Sequence, residues 1–451
     1  MTASGVVALA PQPAAELVAA LSAVGRDLEA DARWLRRLLL EVDVPSAAPA
    51  LIEDVARWAR RLAVELDERI DRVVRLDAAV VSGTAPAVEQ YLDVRGLDDL
   101  DELLTALTAL GVLPYCPRPG DAGARRAALA ALPTALLERL AEQAPEAIGH
   151  TDGVPFAARD RANRILLRRH IARLEARGGE LSVADRRLLI DLRSWRDAAD
   201  LQLVKLDVAR GRVVLARGDL DTASHVAVIV PGAGLTIHGI SRRHEAWMHH
   251  LHDEMATRLG ATDPQGAPAT VLWLDYDSPG RLVPAAVRRG AATDAARRLP
   301  GFLAGVAEGR PQLVTVLGHS YGSVVIGRSL ADHPGRLAAD QLVALGSPGL
   351  GVQLSRELDL RDDQRLLAAT FEEDPIAHVG RWGPLTGDVG RAIHGPDPRR
   401  LRVAESIELS THDLADADPL ERHLQYLDEG SSALRLLADL AAGAGRRPSG
   451  G

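Results

Sequence analysis

The chain of 451 residues has little cysteine, few aromatic residues and no long apolar run. Its single cysteine, Cys116, excludes an intramolecular disulfide, and no Cys/His spacing resembles a zinc site. No apolar stretch approaches the roughly 20 residues that span a bilayer, and the first residues lack a signal-peptide pattern. We therefore expect a cytoplasmic protein without a transmembrane segment, with export by a route that uses no cleaved signal left open.

The charge pattern also lacks the features of a nucleic-acid-binding protein. The formal net charge is −9, and no basic run or basic stripe interleaved with aromatic residues is present. Binding to phosphates needs clustered Lys and Arg, so we exclude nucleic acid as a partner. With 47% apolar and 25% charged residues, the composition is that of a soluble globular protein. Its length predicts two cores.

The first part of the chain is predicted to be helical. Apolar residues recur at three- and four-residue spacing within 17–42 and again within 51–66, which gives each helix one apolar stripe. Two neighbouring stripes can bury each other, so we expect residues 1–112 to form a separable helical hairpin. No histidine precedes His150. We therefore expect the hairpin to control access or to recruit a protein partner without contributing to catalysis.

The pattern changes near residue 201 from helices to strands that alternate with helices. This alternation predicts a doubly wound, mostly parallel α/β sheet over 201–441, after a helical connecting region at 113–200 and before a disordered tail at 442–451. The predicted strands are the hairpin Gln202–Ala209 and Arg212–Ala216, and then Val226–Val230, Val271–Trp273, Leu313–Leu317, Leu342–Leu345, Leu366–Ala369 and Ser406–Leu409.

One motif carries the pattern of a nucleophilic serine. Gly318-His319-Ser320-Tyr321-Gly322 fits G-x-S-x-G, follows a predicted strand and opens a helical stretch. The two glycines relieve crowding where the backbone turns sharply at the serine. We therefore predict that Ser320 is a nucleophile exposed above the carboxyl edge of the sheet.

A serine hydroxyl needs an imidazole to take its proton, and a carboxylate to orient that imidazole. In this fold the chain order is serine, acid, histidine. Asp374 follows an apolar stretch at 366–371, where the acid-bearing strand should end, and Glu372 and Glu373 lie beside it. Asp374 is the predicted acid.

The predicted base comes from the histidines that lie beyond the serine in loops: His378, His394, His412 and His423. Only His412 and His423 follow the last predicted strand. We choose His423, with His412 as the alternative.

The remaining predicted site residues lie at strand ends on the same edge of the sheet. A tetrahedral intermediate needs two backbone N–H donors, and these are predicted from Tyr321 and from either Ala233 or Gly234. The predicted substrate-binding residues are Tyr276, Pro279 and Ser347.

Five histidines lie close together in the sequence after the loop that follows Val226–Val230: His238, His244, His249, His250 and His252. A metal site is one interpretation of this crowding. However, HExxH is absent, and His249 and His250 point to different faces of a helix. We favour a solvated helix face and predict no metal and no other cofactor.

An ordered set of segments over about 145–440 resembles a family of bacterial α/β hydrolases known only as a domain of unknown function. The segments are Asp152-Gly153-Val154-Pro155, Arg159-Asp160, Ala162-Asn163-Arg164, Pro231-Gly232-Ala233-Gly234, Trp273-Leu274-Asp275-Tyr276, Ser278-Pro279, Gly318–Ser323, Gly346-Ser347-Pro348-Gly349, His394-Gly395, Asp397-Pro398, and His423 with Tyr426. The resemblance implies an α/β-hydrolase fold and places Ser320, Asp374 and His423 at the family's presumed triad positions.

The sequence therefore predicts a serine hydrolase acting on a small-molecule ester or thioester through an acyl-enzyme. One alternative is a catalytically degenerate hydrolase domain in a secretion-associated or partner-binding protein. A C–C hydrolase or an epoxide hydrolase is a third possibility, and Ser320 disfavours the epoxide hydrolase because such enzymes of this fold commonly use an aspartate nucleophile. The sequence does not indicate the acyl-chain length, the oligomeric state or the physiological substrate.

Overall fold

The computed structural model describes residues 11–41, 46, 48–50, 52–64, 121–130, 132, 134–178, 181–240, 242–278, 289–309, 311–372, 374–377, 394–411 and 418–444. The chain divides into two compact units. The first holds Met1–Arg95 and Glu102–Pro114, and the second holds Gly96–Asp101 and Tyr115–Gly451.

Within its described residues, the first unit contains two helices that run antiparallel along each other. Helix α1 spans Pro11–Glu41, and α2 covers residues 52–64. Arg36 of α1 forms an ion pair with Glu53 of α2 at 2.6 Å, and about two turns away Glu29 of α1 pairs with Arg60 of α2. Ion pairs of this kind at the surface contribute little, about 0–1 kcal/mol each, so packing of the small buried residues of both helices supplies most of the contact.

The second unit is built from one sheet with helices on both sides. Its helices are α3 (Ala122–Ala130), α4 (Thr134–Gln143), α5 (Pro145–His150), α6 (Phe156–Ala176), α7 (Val183–Asp197), α8 (Arg242–Thr262), α9 (Arg289–Ala307), α10 (Tyr321–Asp332), α11 (Pro419–Arg422) and α12 (Ser432–Ala441). Its strands are β1 (Leu201–Asp207), β2 (Arg212–Arg217), β3 (His225–Val230), β4 (Pro268–Leu274), β5 (Leu313–His319), β6 (Gln341–Leu345), β7 (Arg365–Phe371) and β8 (Ala404–Leu409).

The strands form an eight-stranded sheet in the order β1-β2-β4-β3-β5-β6-β7-β8. Strand β2 runs antiparallel to both of its neighbours, and the other pairs are parallel. Strands β3, β5 and β6 are buried along their whole length, which explains their continuous apolar sequences. This architecture confirms the predicted mostly parallel, doubly wound sheet preceded by a helical region.

Polar side chains of α6 cover the outer edge of β1. Asp160 Oδ1 accepts a hydrogen bond from the Leu203 N–H at 2.7 Å, and Asn163 Nδ2 donates to the Leu203 carbonyl at 2.8 Å. The Arg164 guanidinium donates to the Leu201 carbonyl at 2.5 Å. An edge strand otherwise presents unpaired backbone groups to other chains. Helix α6 therefore completes the sheet on this side.

Residues 121–200 accordingly share one compact unit with the sheet. The division between a connecting region at 113–200 and a domain at 201–441 stays a prediction, and the hydrogen bonds from α6 to β1 cross that boundary. Among the described helices, none combines the length and the apolarity needed to cross a bilayer.

Candidate active site

The turn between β5 and α10 holds Ser320 in an unusual backbone conformation. Ser320 has φ 54° and ψ −121°, and it is the one non-glycine residue with positive φ in the described part of the chain. Its N–H donates to the Leu345 carbonyl at 2.8 Å, which fixes the turn to β6. Such a conformation costs about 1–3 kcal/mol and is usually retained only where a site requires it.

Glycines on either side of Ser320 make this sharp turn possible. A Cβ at Gly322 would lie 2.0 Å from the Val230 carbonyl oxygen, so a larger residue would push α10 away from β3. A Cβ at Gly318 would lie 2.6 Å from Ile326 Cδ1. Both glycines are therefore required by close packing of the helix start onto the sheet.

Asp374 and His423 form a buried hydrogen-bonded pair. His423 Nδ1 lies 2.8 Å from Asp374 Oδ2, and Asp374 Oδ1 accepts from the Ile376 N–H at 2.8 Å. Burial by itself would raise the pKa of Asp374. The hydrogen bonds from His423, Tyr426 and the backbone outweigh burial and lower this pKa, so Asp374 is a carboxylate at neutral pH.

The ionised carboxylate determines the tautomer of His423. Because Asp374 can only accept hydrogen bonds, His423 Nδ1 carries the proton and Nε2 is left with a lone pair. In the described part of the chain, no hydrogen bond joins Ser320 Oγ to His423. Active sites without substrate often have long or absent catalytic hydrogen bonds.

His319 connects the serine turn to the histidine loop. Its Nε2 lies 2.8 Å from the His423 carbonyl oxygen, and its ring packs against the His423 ring with centroids 4.7 Å apart. Burial lowers the pKa of His319 to about 3. His319 is therefore neutral at working pH and donates from Nε2, which holds the residue beside Ser320 against the backbone of His423.

The loop after β3 lies directly against Ser320. A Cβ at Gly232 would lie 2.8 Å from Ser320 Cβ and 3.2 Å from Ser320 Oγ. The Tyr276 hydroxyl donates to the Pro231 carbonyl at 2.6 Å, and Ser278 Oγ donates to the Gly232 carbonyl at 3.0 Å. These bonds hold the start of the loop and leave Ala233 exposed in the following turn.

Comparisons with known proteins identify the family to which the chain belongs. Residues 207–384 match the family described as Alpha/beta hydrolase. The chain is 34% identical over 225 residues to the uncharacterized protein Rv0963c of Mycobacterium tuberculosis, covering 45% of this chain and 80% of that relative. The chain belongs to the α/β-hydrolase family. The resemblance to a bacterial α/β-hydrolase family of unknown function is confirmed.

Two further matches differ in how much of each chain they cover. The uncharacterized protein Rv2079 of Mycobacterium tuberculosis is 29% identical over 375 residues, covering 68% of this chain and 53% of the relative. The chain thus spans about half the length of that relative. Among solved structures, brefeldin A esterase, a bacterial homologue of human hormone sensitive lipase, aligns with a TM-score of 0.34 and 17% identity over 69% of this chain and 93% of that chain.

The other sequence-predicted site residues of the hydrolase lie as follows. Tyr276 is 1% exposed and Ser347 is 3% exposed, so both support loops from beneath. Ser347 Oγ lies 2.6 Å from Ser323 Oγ and accepts from the Gly349 N–H at 3.1 Å. Direct contact of either residue with substrate stays a prediction. Pro279 and the alternative bases His378 and His412 lie outside the described residues.

The predicted oxyanion-hole roles of Tyr321 and Gly234 stay predictions. Tyr321 is the first residue of α10, and Gly234 lies in the exposed turn after β3 with φ 86°. His394 packs edge-on against the Tyr321 ring, with centroids 6.1 Å apart. Both rings border a cavity of about 260 Å³ whose other walls include Val324 and Arg328. This cavity lies beside the start of the helix that carries the serine turn.

Several residues that hold the candidate site together were not identified from the sequence. Gly346 has φ 52°, and a Cβ there would lie 2.5 Å from Asp374 Oδ2. The Tyr426 hydroxyl donates to the same oxygen at 2.6 Å. The spacing of His423 and Tyr426 within one turn was visible in the sequence but carried no assigned role. His319 and Gly232 belonged to recognised motifs without being singled out.

The side chains of the histidine-rich stretch contact different parts of the protein. His244 packs against Trp247 with ring centroids 4.6 Å apart, and His250 Nδ1 lies 3.1 Å from the Leu427 carbonyl oxygen. Within the described ranges, no group of three or more His, Cys, Asp or Glu side chains is arranged to hold a metal ion.

Proposed function

We propose that the protein is a serine hydrolase that cleaves an ester or thioester through an acyl-enzyme on Ser320. The strained backbone of Ser320 is the observation that carries this proposal, because Ser320 directly follows His319, which contacts the backbone and the ring of His423. Strain at a single serine, next to an imidazole oriented by a carboxylate, is the arrangement that nucleophilic catalysis needs.

In the proposed reaction Ser320 Oγ attacks the carbonyl carbon as its proton moves to His423 Nε2. Rotation of the serine side chain brings Oγ to Nε2, and Asp374 stabilises the imidazolium that forms. The proton then passes to the leaving alcohol or thiol, which departs and leaves the acyl group on Ser320. Water, deprotonated by His423, attacks the acyl-enzyme, releases the carboxylic acid and restores the serine.

The developing oxyanion is proposed to lie between two backbone N–H groups. One is the Tyr321 N–H at the start of α10, where the helix dipole also favours negative charge. The other is supplied by Ala233 or Gly234. Ala233 is favoured, because Gly232 packs directly against Ser320 and the next N–H follows in the same turn.

Turnover of p-nitrophenyl acetate and of acyl esters of graded chain length tests the proposal. Ser320→Ala should lower kcat/KM by about 10⁴-fold or more and should abolish labelling by a fluorophosphonate probe. Ser329→Ala is the matched control. It removes a buried hydroxyl of α10, which donates to the Val325 carbonyl. Labelling that persists in Ser320→Ala, or absence of both turnover and labelling in the wild type, would overturn the assignment.

We also propose that the first unit takes no part in this chemistry. All proposed catalytic groups lie in the second unit, which resumes at Tyr115. A chain beginning at residue 115 should therefore keep kcat/KM within about threefold of the full chain.

A start near residue 145 should be worse, because it removes α3. Arg125 donates to the Asp152 carbonyl at 2.6 Å, and Arg126 pairs with Asp221, which also accepts from the Phe156 N–H at the start of α6. Melting temperature and esterase rate of the two truncated chains distinguish these outcomes. Loss of turnover in a soluble, cooperatively melting chain that begins at residue 115 would show that the first unit completes the site.

A further inference from the structure

Tyr426 shares one carboxylate oxygen of Asp374 with the histidine. Its hydroxyl lies 2.6 Å from Asp374 Oδ2, and His423 Nδ1 lies 2.8 Å from the same atom. The Phe371 N–H donates to the Tyr426 hydroxyl at 3.1 Å. Because the backbone donor occupies a lone pair of the hydroxyl oxygen, the single phenolic proton points at Asp374.

The tyrosine is held rigidly in this position. Tyr426 is fully buried, and its ring stacks on Phe371 with centroids 4.2 Å apart. Burial, followed by the negative charge of Asp374, raises the pKa of Tyr426 well above 10. The hydroxyl is therefore protonated, and donates, over the whole pH range in which a hydrolase would work.

We propose that Tyr426 is a positioning residue that lowers the basicity of His423 by sharing Asp374 Oδ2. A second donor on this oxygen draws negative charge away from the bond to His423 Nδ1, so the carboxylate stabilises the imidazolium less strongly. The proposal rests on the proposed function of Ser320, Asp374 and His423. Packing alone does not explain the hydroxyl, because phenylalanine would fill the same space without placing a polar group in the core.

Among the ionisable groups near Asp374 and His423, Tyr426 is the hydrogen-bond donor that can be varied by substitution. His319 packs on the His423 ring and is neutral, with its pKa lowered to about 3 by burial. Arg399 acts on Tyr426 from the segment before β8, but its guanidinium is paired with Asp397 at 2.7 Å.

The pH dependence of kcat/KM tests the proposal with Tyr426→Phe. Without the hydroxyl, Asp374 Oδ2 accepts a hydrogen bond from His423 alone and stabilises the imidazolium more strongly, so the acid limb of the profile should move upward by roughly 0.5 to 1 pH unit. Tyr276→Phe is the matched control. It removes another fully buried hydroxyl, one that holds the Pro231 carbonyl, and should lower the rate without moving the acid limb.

A second measurement covers the case in which Tyr426→Phe fails to fold, since that change leaves the Phe371 N–H unpaired. Incorporation of 3-fluorotyrosine at position 426 alone keeps the shape and makes the phenol a stronger donor. The acid limb should then move to lower pH. An unchanged limb in both variants, or an equal shift in Tyr276→Phe, would overturn the proposal.

An NMR titration of His423 separates this proposal from the proposed function, because it needs no turnover. The pH range over which the His423 ring signals change should move upward in Tyr426→Phe and downward with 3-fluorotyrosine, in the same directions as the kinetic limb. If Ser320→Ala retained hydrolysis while these shifts occurred, the nucleophile assignment would fail and the shared carboxylate would stand. An unshifted His423 titration would refute the sharing whatever the turnover.

Discussion

Two aspartates at the same edge of the sheet, Asp374 and Asp275, differ in what surrounds them. Asp374 follows β7 and Asp275 follows β4, and both are buried. Both oxygens of Asp374 accept hydrogen bonds, one of them from an imidazole. Asp275 Oδ2 accepts from Lys205 Nζ at 2.8 Å, whereas its Oδ1 has no hydrogen-bond partner within the described residues.

The pKa values of the two carboxyl groups move in opposite directions. Burial raises the pKa of Asp275, and Lys205 offsets this only in part, whereas the donors around Asp374 outweigh burial and lower its pKa. The chemical role of a carboxylate at the end of a strand is therefore determined by the groups that donate hydrogen bonds to it. Its place at the edge of the sheet does not determine that role. Asp374 faces a group that can transfer a proton, and Asp275 faces an ammonium that links β1 to the end of β4.

Replacing each aspartate by asparagine should produce the largest difference. Asp374→Asn should lower kcat/KM for p-nitrophenyl acetate by about 10⁴-fold, because the amide favours the wrong tautomer of His423. Asp275→Asn should change kcat/KM by less than about tenfold in protein that remains folded. Thermal melts of both variants provide the folding control. Comparable losses of activity would contradict the distinction between the two carboxylates.

The pair of Lys205 and Asp275 should instead be visible in stability. Lys205→Met leaves a buried carboxylate without its counter-charge and should cost about 3–5 kcal/mol in urea unfolding at pH 8. The loss should shrink toward pH 5, because an acid whose folded pKa is raised is destabilising only as pH rises above its unfolded pKa.

The double variant Lys205→Met/Asp275→Leu is the control for this pair, since two apolar residues should recover most of the lost stability. A single variant as stable as the wild type at pH 8 would show that the pair is not a buried ionic contact in solution.

Much of the sheet could be predicted from the sequence. The predicted runs Val226–Val230 and Leu313–Leu317 lie within β3 and β5, because a strand buried on both faces must be apolar throughout. Ser320 could be singled out because the steric demand of its turn is local and requires the flanking glycines.

The remaining features depend on partners distant in the chain. Asn163 binds the backbone of Leu203, 40 residues away, and Tyr426 binds Asp374 across 52 residues. Such contacts leave no periodic pattern in the sequence. For the same reason the sequence does not indicate that the Tyr276 hydroxyl donates to the Pro231 carbonyl.

Formation of an acyl group on Ser320 is tested most directly by trapping that group. The wild-type protein would be mixed with p-nitrophenyl acetate, quenched in acid within its first turnover, digested and analysed by mass spectrometry. We expect one acetyl group on the peptide that contains Ser320, and none on that peptide from Ser320→Ala. Acetylation at another residue that accounts for turnover, or full turnover without acetylation of Ser320, would contradict the account.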